Sequence, residues 1–399
     1  KNEAKVYLNV DHPHIARLEM VYETDKEMHF VMEHMEGGEL FERLRERSVF
    51  PEAAAADAGR QMLRAIGYLH ARNIVHRDLK MENFLYQAAD TDDLKLIDFG
   101  FATLRESNSA MSLVCGSLDY IAPEVLARSY TEQADMWSFG VVMHMLLTGE
   151  TLFRHVSRSK LERAIKNSAP AYSARFHKLP GPAQEFVRAL LARDPRERLS
   201  ARAALEHPWL LSASQAKLAD IAPGCDLDVV GSLRSFARAP ALRRAALSMM
   251  AWSLAPAQAR DFGQQFLRLD AESRGTISQE AFRHVLGSEF GVGAAEADAL
   301  FCGLDTDGSR EVDYSEFVAG ALSGCVDVCE DALRRTFQRF DHDGTGLISA
   351  ESLRSVFGES FGGASTESLV GELGVSAEGR AGYGEFAAYF RRTAEGARG

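Results

Sequence analysis

Apolar and polar positions change rhythm along this chain. The longest apolar run is FGVVMHMLL, from Phe139 to Leu147. Crossing a bilayer takes roughly 20 apolar residues, and His144 interrupts this run, so it predicts a buried core helix. Between Asp228 and Leu254, Leu242, Ala246, Met249 and Met250 recur at helical spacing, with Arg234, Arg238, Arg243 and Arg244 among them. That pattern predicts one basic amphipathic helix. From Pro256 onward, short helical patterns alternate with Asp- and Gly-rich loops that start at Asp270, Asp305, Asp341 and Gly374, at spacings of 35, 36 and 33 residues. Self-similarity at a nearly fixed period predicts a repeated supersecondary unit.

A chain of 399 residues suits two or three domains at about 150 residues each. Its charge is unevenly divided. From Pro256 onward there are 24 Asp and Glu against 13 Arg and no Lys, a net −11 of the chain's −12. Such acidity argues against nucleic-acid binding by that segment and for a cation-binding module or a solvated surface. The five cysteines, Cys115, Cys225, Cys302, Cys325 and Cys329, form no CxxC pair, which suits reduced thiols in a cytosolic setting better than disulfides or zinc. The chain opens on Lys1 with no charged-then-apolar leader, so we expect no secretory signal and a start inside a domain.

A 12-residue loop can hold calcium by presenting oxygens at positions 1, 3, 5, 7, 9 and 12. The loop from Asp305 fills all six with Asp305, Asp307, Ser309, the Glu311 carbonyl, Asp313 and Glu316. Its departure is Arg310 at position 6, where glycine normally supplies a positive φ. A left-handed non-glycine residue costs roughly 1–2 kcal/mol, which weakens binding without excluding it. The loop from Asp270 puts Arg274 at position 5 and Ala281 at position 12, and we expect it to be empty. The loop from Asp341 offers Asp343, Thr345, the Leu347 carbonyl and Ser349, with Gly346 at the turn but Ser352 at position 12. Weak calcium binding is expected there. The fourth loop begins with Gly374, although Glu385 stands at position 12, and we expect it to work without metal. A single such loop could be an Asp-initiated turn, whereas four in register resemble the paired EF-hands of the calmodulin family over about residues 258–392.

The N-terminal half carries HRDLKMENF (76–84), then DFG (98–100), APE (122–124) and DMWSFG (135–140). Order and gaps resemble the protein-kinase signature. Phosphoryl transfer needs a carboxylate beside the attacking hydroxyl, a cation on the transferred group and metal ligands. The resemblance implies Asp78 as the base, Lys80 as the cation, and Asn83 with Asp98 as ligands of Mg2+. It also implies that Glu3 pairs an ATP-anchoring lysine, that Met32 is the gatekeeper, and that Glu33 and Met35 offer backbone groups to adenine, with Leu85 lining the nucleotide site. Leu18, Tyr7, His76 and Phe99 match a hydrophobic spine anchored by Asp135, and Arg198 would pair Glu124. Glu39 and Glu82 match positions that receive an arginine three residues before the phosphoacceptor, which implies basic Ser/Thr protein substrates and is favoured over reading both as ordinary solvated glutamates. Lys80 and Ser117 mark a Ser/Thr kinase, with Leu118 replacing the usual proline.

Kinase, basic junction and four EF-hands in this order resemble the calcium-dependent protein kinases. The fold implied is an α+β kinase fold, with a partial small lobe and a mainly helical large lobe, followed by an all-α calmodulin-like domain. The expected boundaries are 1–210 for the kinase, 211–255 for an autoinhibitory junction and 256–399 for the EF-hands. The resemblance implies ATP, Mg2+ and Ca2+ as cofactors, a junction that blocks catalysis until the EF-hand domain takes calcium, and a monomer in the cytoplasm, with any lipid anchor upstream. No glycine-rich loop or β3 lysine precedes Glu3, so we expect these 399 residues to lack about the first three strands of the small lobe. The rival reading is a catalytically inactive, calcium-responsive scaffold.

Overall fold

Burial sorts the apolar residues into two separate cores, one drawn from Val6 to Leu210 and the other from Val229 to Phe390. The chain divides accordingly into a unit of Lys1–Ala222 with Ser273–Gly275 and a unit of Pro223–Glu272 with Thr276–Gly399. These features come from a computed structural model that describes every residue except 1, 107–108, 154–156, 213–227, 253, 255, 325–329, 374–378 and 397–399. Cys225, Cys325, Cys329 and the start of the fourth loop at Gly374 lie outside the described residues, as does much of the 211–255 stretch before Asp228.

The first unit opens with helix α1 (Asn2–Tyr7) and an antiparallel hairpin of β1 (Leu18–Glu23) and β2 (Met28–Met32). The rest is mostly helical: α2 (Leu40–Arg47), α3 (Glu52–Ala71), α4 (Pro123–Leu126), α5 (Gln133–Thr148), α6 (Arg158–Asn167), α7 (Gly181–Leu190) and α8 (Ala201–Leu205). Four short strands, β3 (Ile74–Val75), β4 (Phe84–Tyr86), β5 (Leu94–Leu96) and β6 (Thr103–Leu104), lie between α3 and α4. They pair antiparallel as β3 with β6 and β4 with β5, in the register Phe84↔Leu96 and Tyr86↔Leu94. The HRDLKMENF segment is thereby the turn between β3 and β4, and Asp98 follows directly on β5.

Helix α5 holds this unit together. It is apolar all round, as expected of a helix inside a core, and Ala134 to Thr148 are all buried, including the whole Phe139–Leu147 run. Gly149 ends it at φ 69°, with its N–H on the Met145 carbonyl, the left-handed cap that glycine adopts without a Cβ penalty. No helix among the described residues is long and apolar enough to cross a membrane.

In the second unit, α9 (Val229–Arg238) and α10 (Ala241–Ala251) precede four helix–loop–helix repeats. These are built from α11 (Pro256–Leu269), α12 (Gln279–Phe290), α13 (Ala294–Leu304), α14 (Tyr314–Leu322), α15 (Glu330–Phe340), α16 (Ala350–Phe357), α17 (Thr366–Glu372) and α18 (Tyr383–Gly396). Loops join in pairs through two-stranded ladders. β7 (Ile277–Ser278) pairs with β8 (Glu311–Val312), and β9 (Leu347–Ser349) with β12 (Arg380–Gly382); a small hairpin of β10 (Ser360–Phe361) and β11 (Ala364–Ser365) sits between α16 and α17. The α+β kinase fold followed by an all-α EF-hand domain is what the chain adopts.

The single amphipathic helix expected over Asp228–Leu254 is instead two. Ala239 leaves the helical region at ψ 146° and Pro240 follows at φ −55°, ψ 154°, because proline has no N–H to donate and forces the preceding residue into extended backbone. Leu242, Ala246 and Met250 are buried as their spacing required, and Met249 packs beside them. Helix α9 packs on α13 and α14, and α10 on α14, α15 and α17. Arg243 is not on a solvated basic face. It is buried, lies 4.4 Å over the Phe390 ring and donates Nη1 to the Phe390 carbonyl at 2.7 Å.

In the first unit Arg198 is a buried cation between α5 and α4. Its Nη1 is 2.5 Å from Glu124 Oε1, and Nε and Nη2 donate to the Ala192 carbonyl at 3.1 and 3.0 Å. Removing one partner of a buried pair strands the other charge at a cost of about 3–5 kcal/mol. Glu124→Ala is expected to destabilise the protein by about that amount, read as a lower urea midpoint for unfolding of the N-terminal unit.

Candidate active site and calcium loops

Between β3 and β4 the backbone turns through a strained conformation, with Arg77 at φ 68°. The turn is held from below by Asp135 of α5, whose carboxylate accepts from the His76 N–H, the Arg77 N–H and the His70 ring nitrogen, each at 2.9 Å. This places Asp78, itself 5% exposed, just beyond the turn. Its Oδ2 is 2.8 Å from Lys80 Nζ, its Oδ1 accepts the Ser117 N–H at 2.7 Å, and its carbonyl accepts Asn83 Nδ2 at 2.9 Å. Burial opposes the charge on Asp78, but the Lys80 and Ser117 donors outweigh it and hold the carboxyl below its ordinary range. Gly116 approaches so closely that a Cβ there would sit 2.5 Å from the Arg77 carbonyl oxygen, at φ 96°, so only glycine lets Ser117 reach Asp78.

Asp98 and Asn83 are brought together by a bond from the Ile97 N–H to the Asn83 carbonyl, 2.9 Å. Asp98 is left-handed at φ 63°; its N–H donates to Tyr7 Oη at 2.9 Å and its Oδ1 accepts the Gly100 N–H at 3.0 Å. With Nδ2 of Asn83 committed to the Asp78 carbonyl, its Oδ1 and the Asp98 carboxylate are oxygen donors of the type that fits a hard cation. Glu3 on α1 lies beside this pair. Partial burial and repulsion from Asp98 push its carboxyl up. Tyr7 and Phe99 meet edge to face at 4.6 Å, Phe99 and His76 lie 5.2 Å apart, and Leu18 is buried in the same core.

Met32, at the end of β2, packs partly into the core, and Met35 is half-buried after it. The Glu33 side chain has a purely structural task. Both its oxygens lie 2.7 Å from Lys95 Nζ, and Oε2 accepts the Arg17 N–H at 3.2 Å. Burial raises the Glu33 carboxyl, but Lys95 and Arg17 win and keep it below its usual value. Its N–H is spent on the Arg17 carbonyl at 2.9 Å, which leaves its carbonyl as the group free for a ligand. Leu85 bridges Glu39 and pairs with Lys95 across the ladder. Glu39 is half-buried and caps α2 in a reciprocal box with Glu42. Glu82 is half-buried too, and Tyr120 Oη donates to its Oε2 at 3.3 Å.

In the second unit the loop from Asp305 gathers its acids. Ligand oxygens of Asp305, Asp307 and Glu316 lie within 4.8 Å of one another, the one such carboxylate group among the described residues. Asp305 accepts from the Ser309 and Arg310 N–H groups at 3.0 and 3.1 Å, and Asp307 from Ser309 at 2.8 Å. Ser309 Oγ donates to the Glu311 carbonyl at 2.9 Å, and Asp313 caps α14 in a box with Glu316. Glu316 is 8% exposed. Burial pushes its carboxyl up to about 7, against the donors Thr306 and Asp313. Three carboxylates, a hydroxyl and a carbonyl are hard oxygen donors and fit calcium. In the loop from Asp341, the Thr345 N–H is 2.8 Å from Asp341 and its Oγ1 2.8 Å from Asp343 and 3.5 Å from the Leu347 carbonyl, while Ser352 Oγ faces the Ser349 N–H at 2.8 Å in place of a carboxylate.

Comparison with known proteins gives these geometries a lineage. The protein kinase domain family matches residues 1–210. Calcium-dependent protein kinase 3 of Oryza sativa subsp. japonica is 34% identical over 390 residues, covering 94% of this chain and 69% of the relative. Calcium-dependent protein kinase 34 of Arabidopsis thaliana is 33% identical, with 95% and 73% covered, and calcium-dependent protein kinase 2 of Zea mays is 32% identical, with 95% and 74% covered. The chain belongs to the calcium-dependent protein kinase family. By family it is therefore a serine/threonine protein kinase.

Several residues that shape this kinase's sites escaped the motifs. Lys95 carried one signal, a lysine inside the apolar LKL strand, which demands a buried counter-charge. Tyr130 carried none: its backbone exchanges two hydrogen bonds with Met111 and its Oη donates to the Leu113 carbonyl at 2.7 Å, fastening the segment that leads to Ser117. In the calcium loop, Arg310 stands at φ 67°, the left-handed conformation its position requires. Arg310→Gly is expected to stabilise the second unit by about 1 kcal/mol, seen as a higher melting temperature of the calcium-free protein.

Proposed function

We propose that this protein transfers the γ-phosphate of ATP to Ser/Thr hydroxyls of basic proteins, under calcium control exerted through the loop from Asp305. The observation that carries the catalytic part is the double tether of Asp78 to Lys80 and to the Ser117 N–H. It aims one carboxylate at the place where the Ser117 segment would present a substrate hydroxyl. In that role Asp78 accepts the hydroxyl proton as the oxygen bonds to the γ-phosphorus and the bond to the ADP oxygen breaks. Lys80, from the other side of Asp78, balances negative charge on the group in flight. Asn83 and Asp98 are the residues that would hold Mg2+, which when bound neutralises the phosphate oxygens. The carbonyls of Glu33 and Met35 and the side chains of Met32 and Leu85 would receive the adenine, and Glu3 the lysine of an ATP anchor.

Substrate choice rests on Glu82 and Glu39. Tyr120 orients Glu82, and Glu39 keeps its carboxylate at the mouth of α2 while capping it, so an arginine three residues before the acceptor would meet two acids. Regulation rests on the junction within 211–255. Its apolar face, Leu242, Leu247 and Met250, is buried among the EF-hand helices. An apolar face held there cannot also cover a peptide-binding surface, which fits the helix-in-groove mode in which EF-hands hold the junction; autoinhibition would require the junction to leave this groove.

The test is transfer of labelled phosphate from ATP to an arginine-containing serine peptide by the full-length protein, with calcium titrated against a chelator. Turnover should rise with calcium, and the rise should disappear in Glu316→Gln. Asp78→Asn should lower kcat by about 10²–10⁴-fold with calcium binding intact. Replacing the arginine three residues before the acceptor should raise KM. Calcium-independent turnover would make the hands structural, and no turnover under either condition would leave a scaffold.

A further inference from the structure

The first EF-hand loop lacks two of its ligands, yet part of it is buried in order, and its role is open. We infer that Thr276 in this loop is a positioning residue for calcium in the next one, an inference that rests on the reading of the loop from Asp305 as the calcium site. Thr276 is 4% exposed, and its Oγ1 donates to Glu311 Oε2 at 2.8 Å. Glu311 is the residue whose carbonyl stands at position 7, and that carbonyl faces the Ser309 hydroxyl at 2.9 Å inside the loop.

Two constraints converge on Glu311. Ladder β7–β8 sets its backbone against Ser278, beside the pair Ile277 and Val312. The Thr276 hydroxyl then fixes its side chain outside the loop, so that the carbonyl is the oxygen it directs inward. The residue just before it, Arg310, is in the left-handed conformation at φ 67°. A non-glycine residue stays there only where its surroundings over-determine it, and the hydrogen bond on the adjacent residue is such a restraint. At the other end of the loop, Glu316 is held by the Thr306 N–H and Oγ1 at 2.8 and 2.7 Å and by the Asp313 N–H at 3.1 Å. Position 12 is thus held from within its own loop, and position 7 from the neighbouring one. Ligands held in place before binding lose less freedom on binding, so the metal-free hand raises the affinity of its partner.

Calcium titration calorimetry on the whole chain tests this. Thr276→Val keeps the shape and removes the hydroxyl, and is expected to weaken the Glu316-dependent site about three- to tenfold with unchanged stoichiometry, the size expected for losing one ordinary hydrogen bond. Thr276→Ser should keep affinity near that of the parent, and Glu311→Met, which leaves the carbonyl ligand, should reproduce the loss. The double variant Thr276→Val/Glu311→Met should lose no more than either single one. Unchanged affinity in both Thr276→Val and Glu311→Met, or additive losses in the double variant, would overturn the inference. If Glu316→Gln removes no binding site, the calcium reading of that loop fails first, and that outcome is distinct from the other two.

Discussion

The carboxylate of Asp135 is the interaction on which the catalytic half depends. It is 1% exposed in the first turn of a largely apolar, buried helix, where an unpaired charge would be prohibitively costly. Two backbone N–H groups and a histidine ring meet it, and in doing so they hold the His76–Arg77 turn in a shape it would not keep alone. Every other feature of the site is hung from that turn: Asp78 directly after it, Asn83 bonded to the Asp78 carbonyl, and Asp98 tied to Asn83 through the Ile97 bond. One buried acid, Asp135, is thus used for position, and a second, Asp78, follows the turn that it holds.

The two units treat strain alike. Arg77 and Asp98 in the first and Arg310 in the second all have positive φ without being glycine, and each sits beside or within a group of oxygens suited to a cation or a proton. In each case neighbouring hydrogen bonds supply the restraint: Asp135 for Arg77, Tyr7 for Asp98, and the Asp305 carboxylate together with ladder β7–β8 for the Arg310 region. The energy that keeps such residues in place is contributed by the scaffold rather than by the ligand.

Some glutamates have two duties. The Glu33 side chain neutralises Lys95 in the interior, and in the proposed role only its carbonyl would meet adenine. Glu39 caps α2, and in the proposed role it would also meet a substrate arginine. Neither duty would interfere with the other, because a capping carboxylate still has lone pairs to offer an arginine.

The sequence by itself determined a good deal. The spacing of HRDLKMENF, DFG and APE, the periodic Asp/Gly loops and the apolar run of α5 were legible because each is a local pattern, set by which residue types a turn, a loop or a helix face accepts. The junction shows the limit of such patterns: helical spacing was read through Pro240, and a local rule about proline should have broken it. What only the tertiary structure decided is which groups meet across long stretches of chain. Lys95 finding Glu33, Tyr130 fastening Leu113 and Arg243 turning inward onto Phe390 are pairings between residues that no repeat or motif links. Periodicity tells which side of an element is buried. The partner of a buried polar group depends on how separate elements pack, and that is settled by the whole core at once.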